Sequence, residues 1–276
     1  MKKTNLKFLT QLMQANCDSD RLIQGVSVDS RLVKPGDLFF ALPGVRVDGH
    51  EFLPELASKG AVAAVVKKDY SGADFGLPLI YVDEPLKSLQ QLAKEMLKQQ
   101  QAKVVAVTGS VGKTTTKDFI STLLKAKYRV ASSPGNSNSQ IGVALAILNH
   151  TEGEEEVVVL EMGMTHSGQI ANLVQIAPPH IAVLTTVALA HAGNFESIEG
   201  IARAKSEIFS NPATQLGIVD RDFLELCQEG GCPKRSFSLT NRSADYVLYR
   251  ENGMLCVEES KQKMLLPALE LPGEHN

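Results

Sequence analysis

A short glycine-rich segment between an apolar run and a helical pattern constrains this sequence more than any other feature. Val104 to Val107 is uninterruptedly apolar, Gly109 to Thr115 reads Gly-Ser-Val-Gly-Lys-Thr-Thr, and the next residues, to about Lys125, have helical spacing. Backbone amides at a glycine turn and the positive end of a helix dipole both favour phosphate oxygens. The segment therefore predicts a phosphate-binding loop joining a strand to a helix in an α/β domain.

The loop is shorter than the common nucleoside triphosphate pattern, whose first glycine would fall on Val107. Lys113 is expected to neutralise charge on the β- and γ-phosphates, and the Thr114 hydroxyl is expected to ligate magnesium. An accidental glycine turn is the alternative, and the flanking strand and helix disfavour it. The predicted ATP contacts are Thr108, Gly109, Ser110, Val111, Gly112, Lys113, Thr114 and Thr115.

Apolar runs alternate with helical patterns along the rest of the chain. The predicted strands are residues 26–28, 38–42, 61–66, 79–82, 104–107, 157–160, 181–185, 216–219 and 236–239. The predicted helices are residues 6–13, 52–57, 86–101, 113–125, 141–148, 167–176 and 198–209. Such alternation predicts an α/β fold with a mostly parallel sheet and helices on both of its faces.

The patterns divide the sequence into two predicted domains. Residues 1–84 form a small α/β domain, residues 85–102 form a linker helix, and residues 103–276 form the phosphate-loop domain, which is incomplete at its C-terminal end. Near that end, residues 246–249, 254–257 and 263–266 predict a small antiparallel annex with a hairpin turn at Asn252-Gly253.

Composition excludes several classes of protein. The net charge of −3 leaves no basic surplus for a nucleic-acid backbone, and no apolar run is long enough to span a membrane. The four cysteines lack the spacing of a metal site, so free thiols are expected. The first helical pattern is broken by polar residues, unlike a signal peptide. We therefore expect a cytoplasmic protein, and a monomer.

Three titratable residues are candidates for chemistry near the loop. Glu161 ends an apolar strand, where a carboxylate can hold the magnesium ion of a nucleotide. His191 follows another strand end, and a ligand and a structural histidine are equally consistent with its position. Lys205 has the spacing of a solvated lysine on a charged helix face with Glu207. His166 and His180 are expected to be structural or surface residues.

Motifs outside the loop follow one another in a characteristic order. They are Asp29-Ser30-Arg31, residues 35–42, Asp48-Gly49-His50, residues 135–142, residues 161–164 with 168–170, Ala190-His191 and residues 201–208. Together with the short loop they resemble the Mur ligases of peptidoglycan synthesis. They are most similar to the type that adds D-alanyl-D-alanine to a UDP-muramoyl tripeptide. The resemblance spans nearly all 276 residues and accounts for Val107.

The resemblance implies roles for individual residues. It implies that Lys113, Glu161, His191 and Lys205 are catalytic. Thr114 and Glu161 would hold one magnesium ion, and His191 would help to hold a second. Lys205 would be carbamylated by carbon dioxide, giving an anionic oxygen ligand for metal, which replaces its interpretation as a solvated lysine. The implied substrate-binding residues are Ser30, Arg31, Asp48, His50, Asn136 and Asn138.

The activity implied is ATP-dependent amide ligation of D-Ala-D-Ala to UDP-N-acetylmuramoyl-tripeptide through an acyl phosphate, with the N-terminal domain binding the UDP moiety. The family continues beyond a Gly-x-His-Asn signature that here is Gly273 to Asn276, so a third domain is expected to be absent and this chain alone is expected to be inactive. Two alternatives stay open. One is the sister ligase that adds the third amino acid to UDP-muramoyl-dipeptide, and the other is a nucleotide-binding fragment without ligase turnover.

Overall fold

The computed structural model describes residues 2–17, 19–44, 47–189, 194–251, 254–259 and 262–265. In chain order the strands are β1 (Thr4–Asn5), β2 (Leu22–Ile23), β3 (Gly25–Ser27), β4 (Asp37–Phe40), β5 (Ala63–Lys67), β6 (Leu79–Val82), β7 (Lys103–Thr108), β8 (Val130–Ser132), β9 (Val157–Glu161), β10 (Ile181–Leu184), β11 (Leu216–Asp220), β12 (Lys234–Ser238), β13 (Tyr246–Glu251), β14 (Met254–Glu259) and β15 (Gln262–Leu265). The α-helices are α1 (Leu6–Leu12), α2 (Leu53–Leu56), α3 (Pro85–Gln100), α4 (Lys113–Leu124), α5 (Gln140–His150), α6 (Gln169–Ile176) and α7 (Ile198–Ser206).

Packing divides the chain into two units. The first comprises Met1–Ala102 and Gln140–Glu155, and the second comprises Lys103–Ser139 and Glu156–Asn276. The domain boundaries predicted from the sequence treated residues 85–102 as a linker helix and placed all later residues in one domain. The contacts instead group α3 with the first unit and add α5 to it, because α3 and α5 pack against each other through their apolar faces.

The first unit is built on four parallel strands in the order β3-β4-β5-β6. The strand residues are nearly all buried, as expected for a parallel sheet. Helix α3 buries Leu89, Leu92, Ala93 and Leu97, which the 3.6-residue period places on one side of the helix. The buried cluster beside α2 is Phe39, Ala41, Leu53, Leu56, Ala61, Ala64, Val66 and Leu77.

An asparagine side chain completes the edge of this sheet. The Asn149 side chain on α5 accepts a hydrogen bond from the Val26 backbone N–H and donates one to the Val26 carbonyl, both at 2.8 Å. A primary amide has the donor and acceptor geometry of a peptide group, so Asn149 occupies the place of one residue of a neighbouring strand. The two bonds satisfy backbone groups of β3, which is an edge strand of this sheet within the described part of the chain.

The second unit contains a sheet of nine described strands in the order β15-β14-β13-β12-β11-β10-β7-β9-β8. The strands from β8 to β13 are parallel, and β14 and β15 are antiparallel. Strand β7 lies between β9 and β10: from β7 the chain runs to the edge strand β8, returns to β9, and then crosses to β10 on the other side of β7. Ligands of open α/β sheets bind at such a switch point, outside the carboxyl ends of the strands.

The predicted α/β class with a mostly parallel sheet is confirmed. The three antiparallel strands predicted at the C-terminal end are confirmed as β13 to β15, but they are continuous with the main sheet. Strand β13 pairs in parallel with β12, so the three strands extend the main sheet. The predicted turn at Asn252-Gly253 lies outside the described residues. The helix predicted over residues 198–209 ends at Ser206 and continues as a 3₁₀ turn over Glu207–Phe209.

Candidate functional site

The phosphate loop joins β7 to α4 at the switch point of the second unit. Gly109 has φ +153° and Gly112 has φ +81°, values that favour glycine. A Cβ atom on Gly109 would overlap the hydroxyl oxygen of Thr185. The Thr185 hydroxyl donates to the Val111 carbonyl at 2.6 Å, so the segment after β10 packs against the loop and is hydrogen-bonded to it.

Further bonds between the same two segments fix the loop. The Ser110 backbone N–H donates to the Thr186 carbonyl at 2.8 Å, and its hydroxyl donates to the Ala188 carbonyl at 3.0 Å. The Lys113 side chain folds over the loop, and its ammonium donates a hydrogen bond to the Gly109 carbonyl at 2.9 Å. The loop thus combines a cationic side chain with the free N–H groups at the start of the 12-residue helix α4, which is the arrangement that binds phosphate.

Glu161 lies beside the loop, at the end of β9. Its side chain is buried, and both of its carboxylate oxygens accept hydrogen bonds. The Thr114 hydroxyl donates to Oε2 at 2.6 Å, and the Asn138 amide donates to Oε1 at 2.7 Å. Three residues that the sequence indicated separately are therefore in direct contact.

The donor atoms at Glu161 suit a magnesium ion. Magnesium prefers oxygen ligands and is commonly bound by one or two carboxylates together with substrate phosphates. Among the described residues no group of three or more His, Cys, Asp or Glu side chains could hold a metal ion. Glu161 and the Thr114 hydroxyl are the oxygen donors beside the loop that could hold magnesium together with the phosphates of a nucleotide.

Lys205 lies in the last turn of α7 and is only 4% exposed, so the interpretation as a solvated lysine is wrong. Its ammonium donates to the Gly109 carbonyl at 2.9 Å, the same oxygen that Lys113 contacts. Burial, and next the charge of Lys113, lower the pKa of Lys205 to about 8. Its expected partner Glu207 instead accepts backbone bonds from Gly168 and Ala171 at the start of α6.

A cavity of about 800 Å³ adjoins the loop in the second unit. Its walls include the apolar side chains of Phe119, Ile218 and Phe237 and the polar residues Asp220 and Thr240. Burial raises the pKa of Asp220. Sequence reasoning did not identify this cavity, although Asp220 ends β11 as Glu161 ends β9, and that position was its available signal.

The other predicted contacts of the loop region differ in exposure. Thr108 is buried, and its hydroxyl oxygen has no hydrogen-bond partner among the residues that the structure describes. Thr115 lines the cavity, and Asn136 is exposed. His191, like Ala190 and the signature at Gly273 to Asn276, lies outside the described residues. The structural expectation for His180 is confirmed, because its Nδ1 accepts the Val104 backbone N–H at 3.0 Å.

Four substrate-contact candidates lie in the first unit. Ser30 is buried, whereas the Arg31 side chain is exposed and pairs with Asp29 at 2.6 Å. The side-chain hydrogen bond from Arg31 is the main cause that lowers the pKa of Asp29 to about 2. His50 contacts the Asp48 carboxylate through Nδ1 at 2.6 Å and accepts the Lys67 backbone N–H at Nε2. Both ring nitrogens of His50 thus have partners within the unit.

The sequence also predicted free thiols and no segment that spans a membrane. The four cysteines form no disulfide, and Cys227 and Cys256 are buried. None of the helices in the described part of the chain has the length and apolar character needed to cross a membrane.

Comparisons with known proteins agree with this geometry. The chain matches the model of the Mur ligase middle domain over residues 107–276 and that of the Mur ligase family catalytic domain over residues 22–97. It is 40% identical over 205 residues to the UDP-N-acetylmuramoyl-tripeptide–D-alanyl-D-alanine ligase of Treponema pallidum, covering 70% of this chain and 44% of that relative. The enzyme of the same name from Haemophilus influenzae is 30% identical over all of this chain and 62% of its own length.

Solved structures give the same result. MurF from Acinetobacter baumannii superimposes over 100% of this chain and 62% of its own, with a TM-score of 0.86 and 26% identity. MurF from Thermotoga maritima in complex with ADP covers 88% of this chain and 57% of its own, with a TM-score of 0.76 and 34% identity. The chain spans about half the length of the curated relatives it matches. The middle-domain model alone covers more than half of the chain and includes the phosphate loop, Glu161 and Lys205, so the chain belongs to the Mur ligase family.

Proposed function

We propose that this chain is the nucleotide-binding and UDP-muramoyl-peptide-binding part of an ATP-dependent ligase that joins D-Ala-D-Ala to UDP-N-acetylmuramoyl-tripeptide. The observation that carries the proposal is the contact of Glu161 with Thr114 beside a loop that also holds Lys113 and Lys205. The names of the relatives support the choice of amino component.

In the proposed reaction a carboxylate oxygen of the tripeptide attacks the γ-phosphorus of ATP. The bond from that phosphorus to the ADP oxygen breaks, and an acyl phosphate forms. The amine of D-Ala-D-Ala attacks the acyl carbon, the bond to phosphate breaks, and a proton leaves the nitrogen, so that an amide and inorganic phosphate remain. A free carboxylate is a poor acyl donor, which is why the reaction requires ATP.

The residues of the chain act mainly by positioning and by neutralising charge, as phosphoryl transfer requires. Lys113 and the N–H groups at the start of α4 would hold the β- and γ-phosphates. Thr114 and Glu161 would hold a magnesium ion. Bound magnesium would neutralise charge that develops on the phosphate oxygens. We further propose that His191 contributes to a second magnesium site, and that the cavity beside Phe119 and Phe237 receives the base of the nucleotide.

Carbamylation of Lys205 is part of the proposal. Carbon dioxide reacts with a neutral amine, and a pKa of about 8 leaves a substantial neutral fraction near neutral pH. The burial of Lys205 supplies the cause of that lowered pKa. The test is the ¹³C NMR spectrum of the full-length gene product in ¹³C-bicarbonate. We expect a carbamate carbonyl signal that Lys205→Arg abolishes, and activity that falls when carbon dioxide is stripped and returns with bicarbonate. A spectrum without the signal would overturn this assignment.

The central test is Lys113→Ala in the full-length gene product. We expect loss of nearly all ligation, measured as phosphate release that depends on UDP-N-acetylmuramoyl-tripeptide and D-Ala-D-Ala. Lys125→Ala, an exposed lysine just after α4, is the matched control and should keep the wild-type rate. A wild-type rate of ligation by Lys113→Ala would contradict the assignment of Lys113 to the ATP phosphates.

The same assay separates the two alternatives. Supplying UDP-muramoyl-dipeptide with a diamino acid tests the sister ligase, which the names of the relatives do not favour. Calorimetric binding of ATP and of the UDP-muramoyl peptide without phosphate release would identify a binding module without turnover.

A further inference from the structure

Lys117 is a buried lysine one helical turn after Lys113, on the same helix α4. It is 1% exposed, and its ammonium donates to the Ser133 carbonyl at 2.7 Å and to the Gly135 carbonyl at 2.9 Å. The Asp118 carboxylate lies 3.2 Å from the ammonium. A lysine has three N–H donors, and a charge in such a position is costly unless those donors are satisfied. Two of the donors bind these backbone carbonyls, and the Asp118 carboxylate is within ion-pair distance of the charge.

The segment that Lys117 contacts, residues 133–138, also contacts β9. The Ser133 backbone N–H donates to the Val159 carbonyl at 3.0 Å, and the Ser133 hydroxyl accepts the Glu161 backbone N–H at 3.1 Å. At the far end of the segment, the Asn138 carbonyl accepts the Gly163 N–H at 2.8 Å, and the Asn138 amide donates to the Glu161 carboxylate. Both ends of the segment therefore determine where Glu161 lies.

We propose that Lys117 is a positioning residue that fixes segment 133–138 to the phosphate-binding helix and so holds the Glu161 carboxylate in place against the Thr114 hydroxyl. The inference rests on the proposed function, which assigns Glu161 and Thr114 to a magnesium nucleotide. Lys117 itself does not touch Glu161. It acts through the backbone of Ser133 and Gly135.

Chemistry explains why a lysine is required. An apolar side chain of similar length would fill the space but would leave the Ser133 carbonyl without its buried donor. Segment 133–138 would then lose its hydrogen bonds to Lys117 on α4, while its contacts with the end of β9 would remain. The Glu161 carboxylate lies at the end of β9, and the Thr114 hydroxyl lies on α4. Because a magnesium ion would need both groups in the right place, loosening segment 133–138 would mainly weaken magnesium binding.

The test is Lys117→Met in the full-length gene product, with Lys125→Met as the matched control on an exposed site after the same helix. The readout is the calorimetric affinity for ADP measured over a series of magnesium concentrations, together with the KM for UDP-N-acetylmuramoyl-tripeptide. We expect the half-saturating magnesium concentration to rise about 10- to 100-fold. ADP affinity without magnesium and the KM for the tripeptide should not change, and the control should match the wild type throughout.

Two further variants keep the test decisive. Lys117→Gln retains an N–H donor and replaces Lys117→Met if the latter does not fold, and Lys117→Arg should restore part of the magnesium affinity. A Lys117 variant with lower thermal stability but the wild-type magnesium curve would show a purely structural role and overturn the proposal, as would failure of every variant to fold. Wild-type protein without magnesium-dependent ADP binding would instead refute the proposed function.

Discussion

At the scale of single residues, the carboxylate of Glu161 depends on a close contact between Asn138 and Gly163. A Cβ atom on Gly163 would lie 2.7 Å from Asn138 Cγ, closer than real side chains approach. Gly163 does not have a positive φ, so the backbone conformation does not require glycine here. The close approach of the Asn138 side chain does. The glycine thus leaves room for the amide that bonds to Glu161.

Gly163→Ala should therefore turn the Asn138 side chain away from Glu161 without unfolding the protein. A hydrogen bond to a charged group contributes about 1.5–3 kcal/mol, so we expect the affinity for magnesium-ADP to fall about tenfold or more. Isothermal calorimetry measures this change. Gly231→Ala is the matched control, because a Cβ atom there meets nothing within 4 Å. Equal affinities of the two variants would contradict the argument.

The cysteines provide a second prediction for single residues. Burial raises the pKa of Cys227 to about 11, and the thiolate is the form that reacts with alkylating agents. We expect iodoacetamide at pH 8 to label the partly exposed Cys232 well before Cys227, and labelling of Cys227 to accelerate as the pH rises towards 11. Mass spectrometry of tryptic peptides measures both rates. Equal rates in the native protein would show that Cys227 is accessible.

Local sequence predicted the residues of the phosphate loop, because strand, glycine turn and helix are consecutive in the chain. It did not predict the burial of Lys205 or Lys117. Both lysines lie on helices whose charge patterns are compatible with solvent, and their burial depends on distant segments, the loop carbonyl of Gly109 and residues 133–135. Contacts of that range have no signature in one sequence.

At the scale of secondary structure, strongly periodic or apolar segments were predicted to within a few residues. Strand β8 (Val130–Ser132) was missed because its sequence, Val-Ala-Ser, contains one large apolar residue and forms no apolar run. Helix α5 was predicted, but its packing with the first unit was not. Part of that packing is the pair of hydrogen bonds between Asn149 and Val26, and Asn149 has the appearance of an ordinary polar residue near a helix end.

Asn149→Leu tests this contact between helix and strand. The substitution leaves the Val26 N–H and carbonyl without their partner, and each buried unsatisfied group costs about 1–3 kcal/mol. We expect the free energy of unfolding to fall by about 2–4 kcal/mol, measured by urea denaturation. Asn172→Leu, on the exposed side of α6, is the control and should change the free energy by less than about 0.5 kcal/mol. Similar losses in both variants would contradict the assigned role.

At the scale of the whole molecule, the two units are proposed to bind different ligands, and hydrogen exchange can separate them. Magnesium-ADP should slow amide exchange in the phosphate loop, residues 109–116, and around Glu161. UDP should slow exchange near Ser30 and Arg31 in the first unit. Mass spectrometry of peptic peptides measures both patterns. Protection of the loop by UDP alone would contradict the division of roles.

The path of the chain between the two units affects how the protein is made. The first unit is not complete until Glu155, yet residues 103–139, which include the phosphate loop, are synthesised before that point. At about 5–20 residues per second, a ribosome needs about 3–10 s to add the roughly 50 residues between Ala102 and Glu155. During that interval the β3 edge lacks Asn149 and the apolar face of α3 lacks α5. During this stage of synthesis the incomplete first unit would therefore expose apolar surface to which chaperones could bind.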